Sequence, residues 1–229
     1  AAEATEIPPT CAGRVIMPKA LEFALYDGFD PILNKQVGLH TGSDFGDFNA
    51  FLKAVKDQLK NSIQMCMDAL TAYEKQYDKI SPFPILSGAF ENCVKTGTDV
   101  YNRGAKYNNT SINCFGMATL VDSLMVIKKL VFEDKKLSFK EFTKILENNW
   151  SDNEELRKYC FNNFPKYAND DNEADELAVE IYNFVADTIN KKPNGRGGVF
   201  KHSQISIDWI HFMGARVGAT PDGRLSREP

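Results

Sequence analysis

The sequence predicts a predominantly α-helical chain with a few short strands near its end. Apolar residues recur at steps of three and four along long stretches, and three capped helix starts follow one another in the second half. Two short runs rich in Val, Ile and Phe after a glycine-rich turn add the strands. No internal repeat or linker divides the chain, so we expect residues 1–229 to belong to one domain.

The first long helix is predicted over residues 48–80, where one apolar stripe runs without a breaker until Pro82. A second helix is predicted within residues 115–132, which are apolar almost all round and therefore buried on most sides. Asp122 is the exception in that stretch, because an unpaired carboxylate there would be costly to desolvate. We expect a backbone amide or an arginine to hold it, such as Arg103, Arg196 or Arg224.

Three further helices are predicted from a capping residue followed three positions later by an acid. They start at Ser138 with Glu141, at Ser151 with Glu154 and at Asp170 with Glu173, and they end near Asn149, Asn163 and Asn190. The acidic run at 169–173 resembles a calcium loop, but Asp175 and Ile181 stand where that loop needs glycine and glutamate. We therefore interpret the run as a helix cap.

The late strands are predicted at residues 199–200 and 205–210, after the turn at 193–198. A sheet needs roughly three or more strands to be stable. We therefore expect these strands to pair with residues outside this chain, with short strands near residues 7 to 16, or with another copy.

Composition and spacing limit the function. A net charge of −4 without a basic cluster argues against nucleic acid. No apolar run reaches the ~20 residues of a membrane span and the start does not resemble a signal peptide, so we expect a cytoplasmic protein.

The five cysteines are scattered, which predicts reduced, mostly buried thiols, and the three histidines lack the spacing of a metal pair. The sequence has no nucleophile elbow, Walker loop or dinucleotide turn, and spacing alone therefore predicts no active site.

A set of phrases in order along the chain resembles the glycyl radical enzymes of the pyruvate formate-lyase type. The phrases are ALEFALYDG at 20–28, KQVG at 35–38, GAKYN at 104–108, GMATLVDSL at 116–124, PKYANDD at 165–171, RGG at 196–198 and GATPDGR at 218–224. The resemblance implies that this helical segment is part of a ten-stranded α/β barrel. In that barrel a glycyl radical on one loop and a thiyl cysteine on another meet in a closed chamber.

Two departures from the family pattern concern the reactive residues. The glycyl motif Arg-Val-x-Gly-Tyr does not occur in this sequence, so we expect the glycyl radical domain to be absent from it. The resemblance places the Gly-Cys-x-Glu motif of the dehydratase and decarboxylase branches at residues 3–6, where Glu6 matches the general base, Ala4 occupies the thiyl position and Glu3 that of the glycine. Either junction sequence precedes a natural cysteine loop, which we favour, or the cysteine has been lost.

By resemblance, the chain is a segment of a radical lyase, dehydratase or formate acetyltransferase that is inactive alone. It binds no cofactor itself, whereas the parent enzyme uses a protein-derived glycyl radical installed by a radical S-adenosylmethionine activating enzyme. The expected partners are that enzyme, a small-molecule substrate and a second copy in a homodimer, with no nucleic acid and no membrane. Glu6 favours the dehydratase branch. The alternative is a stand-alone helical scaffold or binding module derived from the same fold.

Overall fold

The structure, a computed structural model, describes residues 13–205 and 209–229. The helices are α1 (Met17–Leu25), α2 (Phe48–Glu74), α3 (Tyr77–Ile80), α4 (Pro84–Ser87), α5 (Glu91–Thr96), α6 (Met117–Val126), α7 (Phe139–Glu147), α8 (Glu154–Asn162), α9 (Asn172–Ile189) and α10 (Ile210–Gly214). The strands are β1 (Gly13–Ile16), β2 (Phe29–Asp30), β3 (Lys35–Gln36), β4 (Thr110–Phe115) and β5 (Phe200–Gln204). The prediction of a mainly helical chain with a few short strands is confirmed.

The long helix is confirmed, but it ends earlier than predicted. Its stripe is buried as expected, since Phe51, Val55 and Leu59 have no exposed surface. α2 stops at Glu74 and α3 resumes at Tyr77, so the helix is not continuous to residue 80. The end forms where the amide of residue 76 bonds to the carbonyl three positions earlier, at 3.0 Å, which tightens the last turn.

The buried apolar helix is also confirmed, with a different start. α6 begins at Met117 and continues as a π-helical turn over Ile127–Glu133, whereas the residue before its N-cap ends strand β4. Gly116 makes the change of direction with a φ of +80°, and an added Cβ there would lie 2.6 Å from Cδ of Pro18. Glycine is therefore required at this strand-to-helix junction.

One of the three predicted caps is correct, one is displaced by one residue and one is not formed. The Ser138 hydroxyl and the Glu141 carboxylate form the predicted capping box of α7. Helix α8 is preceded by Asn153 instead of Ser151, and the side chain of Asn153 makes no capping bond. For α9 the cap lies one residue later than predicted, because Asp171 Oδ1 accepts the amides of residues 173 and 174 at 3.0 and 3.2 Å.

The chain divides into two compact units, each built from separate segments. The described part of the first unit comprises residues 13–15, Ile63–Cys114 and Val185–Ile205. Its sheet has the order β1-β4-β5, and β4 runs parallel to β5 with Thr110 opposite Phe200 and Cys114 opposite Gln204. The late strand β5 thus pairs with β4, which was not among the expected partners, and the expected strand near residues 7 to 16, β1, joins the same sheet on the other side of β4.

The second late strand is not observed where it is described. Residues 206–208 lie outside the described residues, residue 205 is irregular, and Ile210 begins helix α10. The second unit comprises Ile16–Ser62, Phe115–Phe184 and the described residues 209–229. Its core includes the rings of Phe45, Phe51 and Phe139, whose centroids lie 5.1 to 5.2 Å apart.

Candidate functional site

The residues that the family resemblance assigns to catalysis lie outside the described residues. Glu6, Ala4 and Glu3 all fall within residues 1–12, so the structure does not test the predicted general base or the substituted thiyl position. The described chain begins with β1 at Gly13, shortly after Glu6 in the sequence. The sheet of the first unit is therefore the described element that follows the predicted cysteine loop.

One face of this sheet is apolar and packs on helix α2. An added Cβ at Gly13 would lie 2.9 Å from Cγ1 of Ile112 in β4 and 3.0 Å from Cδ1 of Leu70 in α2. Ile112 and Cys114 are fully buried, and Phe200 of β5 is 1% exposed. Because side chains alternate along a strand, the residues between these must point to the opposite face.

The opposite face is polar except where Ile16 and Phe115 end strands β1 and β4. We call its polar part the polar sheet face: Arg14 of β1, Ser111 and Asn113 of β4, and Lys201 and Ser203 of β5. The parallel register sets Ser111 opposite Lys201 and Asn113 opposite Ser203. The Ser111 hydroxyl donates to Asn113 Oδ1 at 2.9 Å, and Asn113 is only 3% exposed. In an α/β barrel the strand face away from the helices lines the interior. The polar sheet face is thus the candidate substrate surface of the described chain.

A buried ion pair anchors the turn that leads into β5. The carboxylate of Glu74, at the end of α2, accepts the Gly195 amide at 2.9 Å and the hydroxyl of Thr110. Arg196 places Nε 3.3 Å from Glu74 Oε1 and donates from Nη2 to the Asn109 carbonyl at 2.6 Å. Burial lowers the pKa of Arg196, and the Glu74 charge opposes that shift. This cluster joins α2 to the starts of both parallel strands.

Asn194 completes the same turn with both ends of its amide. Its Nδ2 donates to the Asn108 carbonyl at 2.6 Å and to Thr110 Oγ1 at 2.8 Å, while its Oδ1 accepts the Gly198 amide at 2.8 Å. An added Cβ at Gly198 would lie 2.3 Å from the Asn108 oxygen. The phrases at 104–108 and 196–198 therefore meet, and they hold strands together instead of presenting reactive groups.

The second unit joins two other phrases through Glu22, which is 2% exposed. Its Oε2 accepts the Gly218 amide at 2.5 Å, and Arg224 Nη2 donates to the Gly218 carbonyl at 2.5 Å. Lys19 Nζ lies 2.5 Å from Glu22 Oε1 and 2.8 Å from Asp30 Oδ1. Burial raises the pKa of Glu22 although Lys19 opposes the shift. The cluster fixes the GATPDGR turn onto α1.

Asp122 has the structural role that was predicted, with a different cation. Its Oδ1 accepts the amide of Tyr167 at 2.9 Å, which confirms the backbone partner. The nearby cation is Lys166, with Nζ 3.6 Å from Oδ2, and the expectation of an arginine is wrong. Burial raises the pKa of Asp122, and the Tyr167 amide and Lys166 oppose the rise. The phrases at 116–124 and 165–171 thus also meet.

The described residues contain no candidate metal site. Within residues 13–205 and 209–229, no group of three or more His, Cys, Asp or Glu side chains could hold a metal ion. The helices of that part of the chain are all too short or too polar to cross a membrane. Cys93, Cys114 and Cys160 are buried, Cys66 is half-buried and none of these four forms a disulfide, which confirms the prediction for the described cysteines.

Ser111 and Asn113 are the candidate site residues that the sequence reasoning missed. In the sequence they alternate with the apolar residues Ile112 and Cys114, which is the signal of a strand with two different faces. Lys201 and Ser203 were missed because the strand was predicted to end at residue 200, whereas it extends to Gln204.

Comparisons with known proteins agree with the geometry. A family model described as pyruvate formate lyase-like matches residues 6–212. The trans-4-hydroxy-L-proline dehydratase of Clostridioides difficile is 33% identical over 219 residues, which are 95% of this chain and 28% of that enzyme. The (2S)-3-sulfopropanediol dehydratase of Klebsiella oxytoca is 32% identical over 223 residues, or 95% of this chain and 27% of that enzyme.

Solved structures give the same result for the fold. The hydroxyproline dehydratase of Clostridioides difficile with bound trans-4-hydroxy-L-proline superposes with a TM-score of 0.88 at 30% identity, over 100% of this chain and 32% of that one. A glycerol dehydratase of Clostridium butyricum gives 0.88 at 31%, over 96% of this chain and 28% of that one. The chain therefore spans about 27 to 32% of the length of these relatives. These matches, together with the ordered phrases and their pairwise contacts, show that the chain belongs to the pyruvate formate lyase-like family of glycyl radical enzymes.

Proposed function

We propose that this chain supplies part of the chamber wall of a glycyl radical dehydratase that acts on a small hydroxylated molecule. The polar sheet face carries the proposal, because it presents hydroxyl, amide and cationic groups on the side opposite α2. Two relatives, at 33% and 32% identity, are named as dehydratases of hydroxyproline and of sulfopropanediol. They support the dehydratase branch of the family over a formate acetyltransferase. A decarboxylase glycyl radical subunit from Clostridium scatologenes, at 27% identity, is more distant.

In this proposal the chain's own residues bind, orient and move a proton. The glycyl radical of the parent enzyme, installed by a radical S-adenosylmethionine enzyme in the cytoplasm, supplies the hydrogen-atom chemistry. Glu6 is the proposed general base, and Ser111 and Ser203 offer hydrogen bonds to substrate hydroxyl groups, while buried Asn113 orients the Ser111 hydroxyl. The packed helices exclude water from the chamber. The clusters around Glu74 and Glu22 keep the walls rigid.

We further propose that the 229 residues alone do not catalyse the reaction. The glycyl motif does not occur among them, and alanine stands at the thiyl position. The test is to replace the matching stretch of the Clostridioides difficile hydroxyproline dehydratase by this chain, either unchanged or with Glu3→Gly and Ala4→Cys. After anaerobic activation, electron paramagnetic resonance measures the glycyl radical, and product analysis measures dehydration of hydroxyproline, glycerol and sulfopropanediol.

We expect both hybrids to carry the radical and only the Ala4→Cys hybrid to turn over. Adding Glu6→Gln to that hybrid should keep the radical and slow turnover by about 10²–10⁴-fold, the usual effect of a general base. Equal turnover by the hybrid that keeps Ala4 would contradict the proposal, and so would a radical-bearing Ala4→Cys hybrid that dehydrates none of the substrates. The first result would reject the thiyl assignment at residue 4, and the second would make the stand-alone scaffold the better explanation.

A further inference from the structure

We propose that Lys201 makes this chain select substrates that carry an anionic group, a carboxylate or a sulfonate, over neutral polyols. The proposal rests on the function proposed above and names the substrate class of the same surface. It depends on the position of Lys201 in the sheet, on the charge of the polar sheet face and on the absence of a described carboxylate partner.

The position of Lys201 follows from the strand. Lys201 stands between Phe200, which is buried on the α2 side, and His202, which is half-buried on that same side. Its side chain therefore projects from the polar sheet face. Parallel pairing sets it opposite Ser111, whose hydroxyl is hydrogen-bonded to Asn113. The ammonium group of Lys201 thus lies beside the half-buried Ser111 hydroxyl, which the buried Asn113 amide holds in place.

The charge of that area is opposite in sign to that of the chain. The chain has a net charge of −4, whereas the polar sheet face, as far as its strands are described, has two cations and no carboxylate. An anion brought to this face gains Coulomb energy that a neutral polyol does not. The gain grows when the chamber excludes water, because the effective dielectric constant falls.

Lys201 also differs from the lysines that have structural roles. Lys56, Lys128 and Lys129 each have a carboxylate oxygen within 3 Å, in ion pairs that join helices. In the part of the chain that the structure describes, no carboxylate lies within the 4.0 Å ion-pair distance of Lys201. A lysine on a polar strand face that no described acid neutralises is suited to bind a charged ligand.

The first test uses the radical-bearing Ala4→Cys hybrid enzyme. Lys201→Met should lower kcat/KM for hydroxyproline or sulfopropanediol by about 10- to 100-fold, the range expected for one charge-assisted hydrogen bond. The same variant should lower kcat/KM for glycerol by a clearly smaller factor, because a neutral polyol gains no Coulomb energy from the ammonium group. Lys201→Arg should restore much of the preference, and Lys192→Met, an exposed lysine before β5, is the matched control. An unchanged ratio between anionic and neutral substrates in Lys201→Met would overturn the proposal.

The second test uses the 229-residue chain itself. An isotope-labelled chain is titrated with 2-hydroxyethanesulfonate and, separately, with glycerol, and amide chemical shifts are recorded. We expect sulfonate-dependent shifts at Ser111, Asn113, Lys201 and Ser203 that are absent with glycerol and lost in Lys201→Met. Shifts that are equal for both compounds, or that persist in Lys201→Met, would refute the selection. If the hybrid enzyme is inactive but the chain still binds the sulfonate through Lys201, the proposed dehydratase function is rejected and the preference for anions is not.

Discussion

Removal of the Arg196 guanidinium should strongly destabilise the first unit. Arg196 is 3% exposed and Glu74 is 8% exposed, so Arg196→Met leaves a buried carboxylate without its cation. Breaking a buried pair in this way costs about 3–5 kcal/mol. Glu74 keeps the Gly195 amide and the Thr110 hydroxyl as donors, which places the expected loss near the lower end, at about 3 kcal/mol.

The combination Arg196→Met with Glu74→Gln should cost clearly less than the sum of the two single changes. Both charges are then gone, and the amide oxygen of Gln can still accept the Gly195 amide. We expect a coupling free energy of about 2 kcal/mol, which is within the range for residues in direct contact. A coupling free energy of this size would show that the two charges interact, because a loss of packing alone would make the two single changes additive.

The assay is urea unfolding by far-UV circular dichroism, combined with hydrogen exchange of the β4 and β5 amides. Exchange localises the effect, because a chain with two units need not unfold in one step. The control is Lys158→Met, which removes the exposed partner of Glu154 at 3.7 Å and should leave the urea midpoint unchanged. Additive single changes, or a wild-type midpoint for Arg196→Met, would refute the coupled buried pair.

Three other outcomes are expected. Ser138→Ala removes a helix cap and should lower Tm by about 2–4 °C in thermal scans, and an unchanged Tm would show that the cap is dispensable. Because the folded chain raises the pKa of Glu22 above 4.5, wild type should lose stability relative to Glu22→Gln as pH rises from about 4.5 towards neutrality, and urea midpoints at several pH values give the sign. Burial raises the pKa of Cys114 and Cys160 to about 12, so iodoacetamide at pH 8 should label these two thiols only after unfolding. Peptide mass mapping measures the labelling, and rapid labelling of the folded chain would contradict the prediction.

Helices were predictable where one face or cap dominates the local energy. The stripe on α2 and the capping box of α7 are properties of adjacent turns, and both are observed. The end of α2 was not predictable, because the Glu74 carboxylate bonds to Gly195, which lies 121 residues later in the sequence. Tertiary hydrogen bonds of this kind override local periodicity.

The strands and the candidate site were the least predictable parts. β4 has only six residues, and polar and apolar residues alternate over only four of them, from Ser111 to Cys114. A sequence window around Ser111 does not contain Lys201, so the polar sheet face exists only after pairing. The family phrases, by contrast, were informative, because several of them form polar contacts with one another across long stretches of sequence.

The parallel pairing of β4 with β5 also has a consequence for biosynthesis. The Val199 amide bonds to Asn109 across 90 residues of sequence. A ribosome adds about 5–20 residues per second, so several seconds pass between the emergence of β4 and that of its neighbour. During this interval a nascent β4 has an open edge that can associate with other chains. Chaperone occupancy on the ribosome should therefore be highest while the intervening helices are being translated.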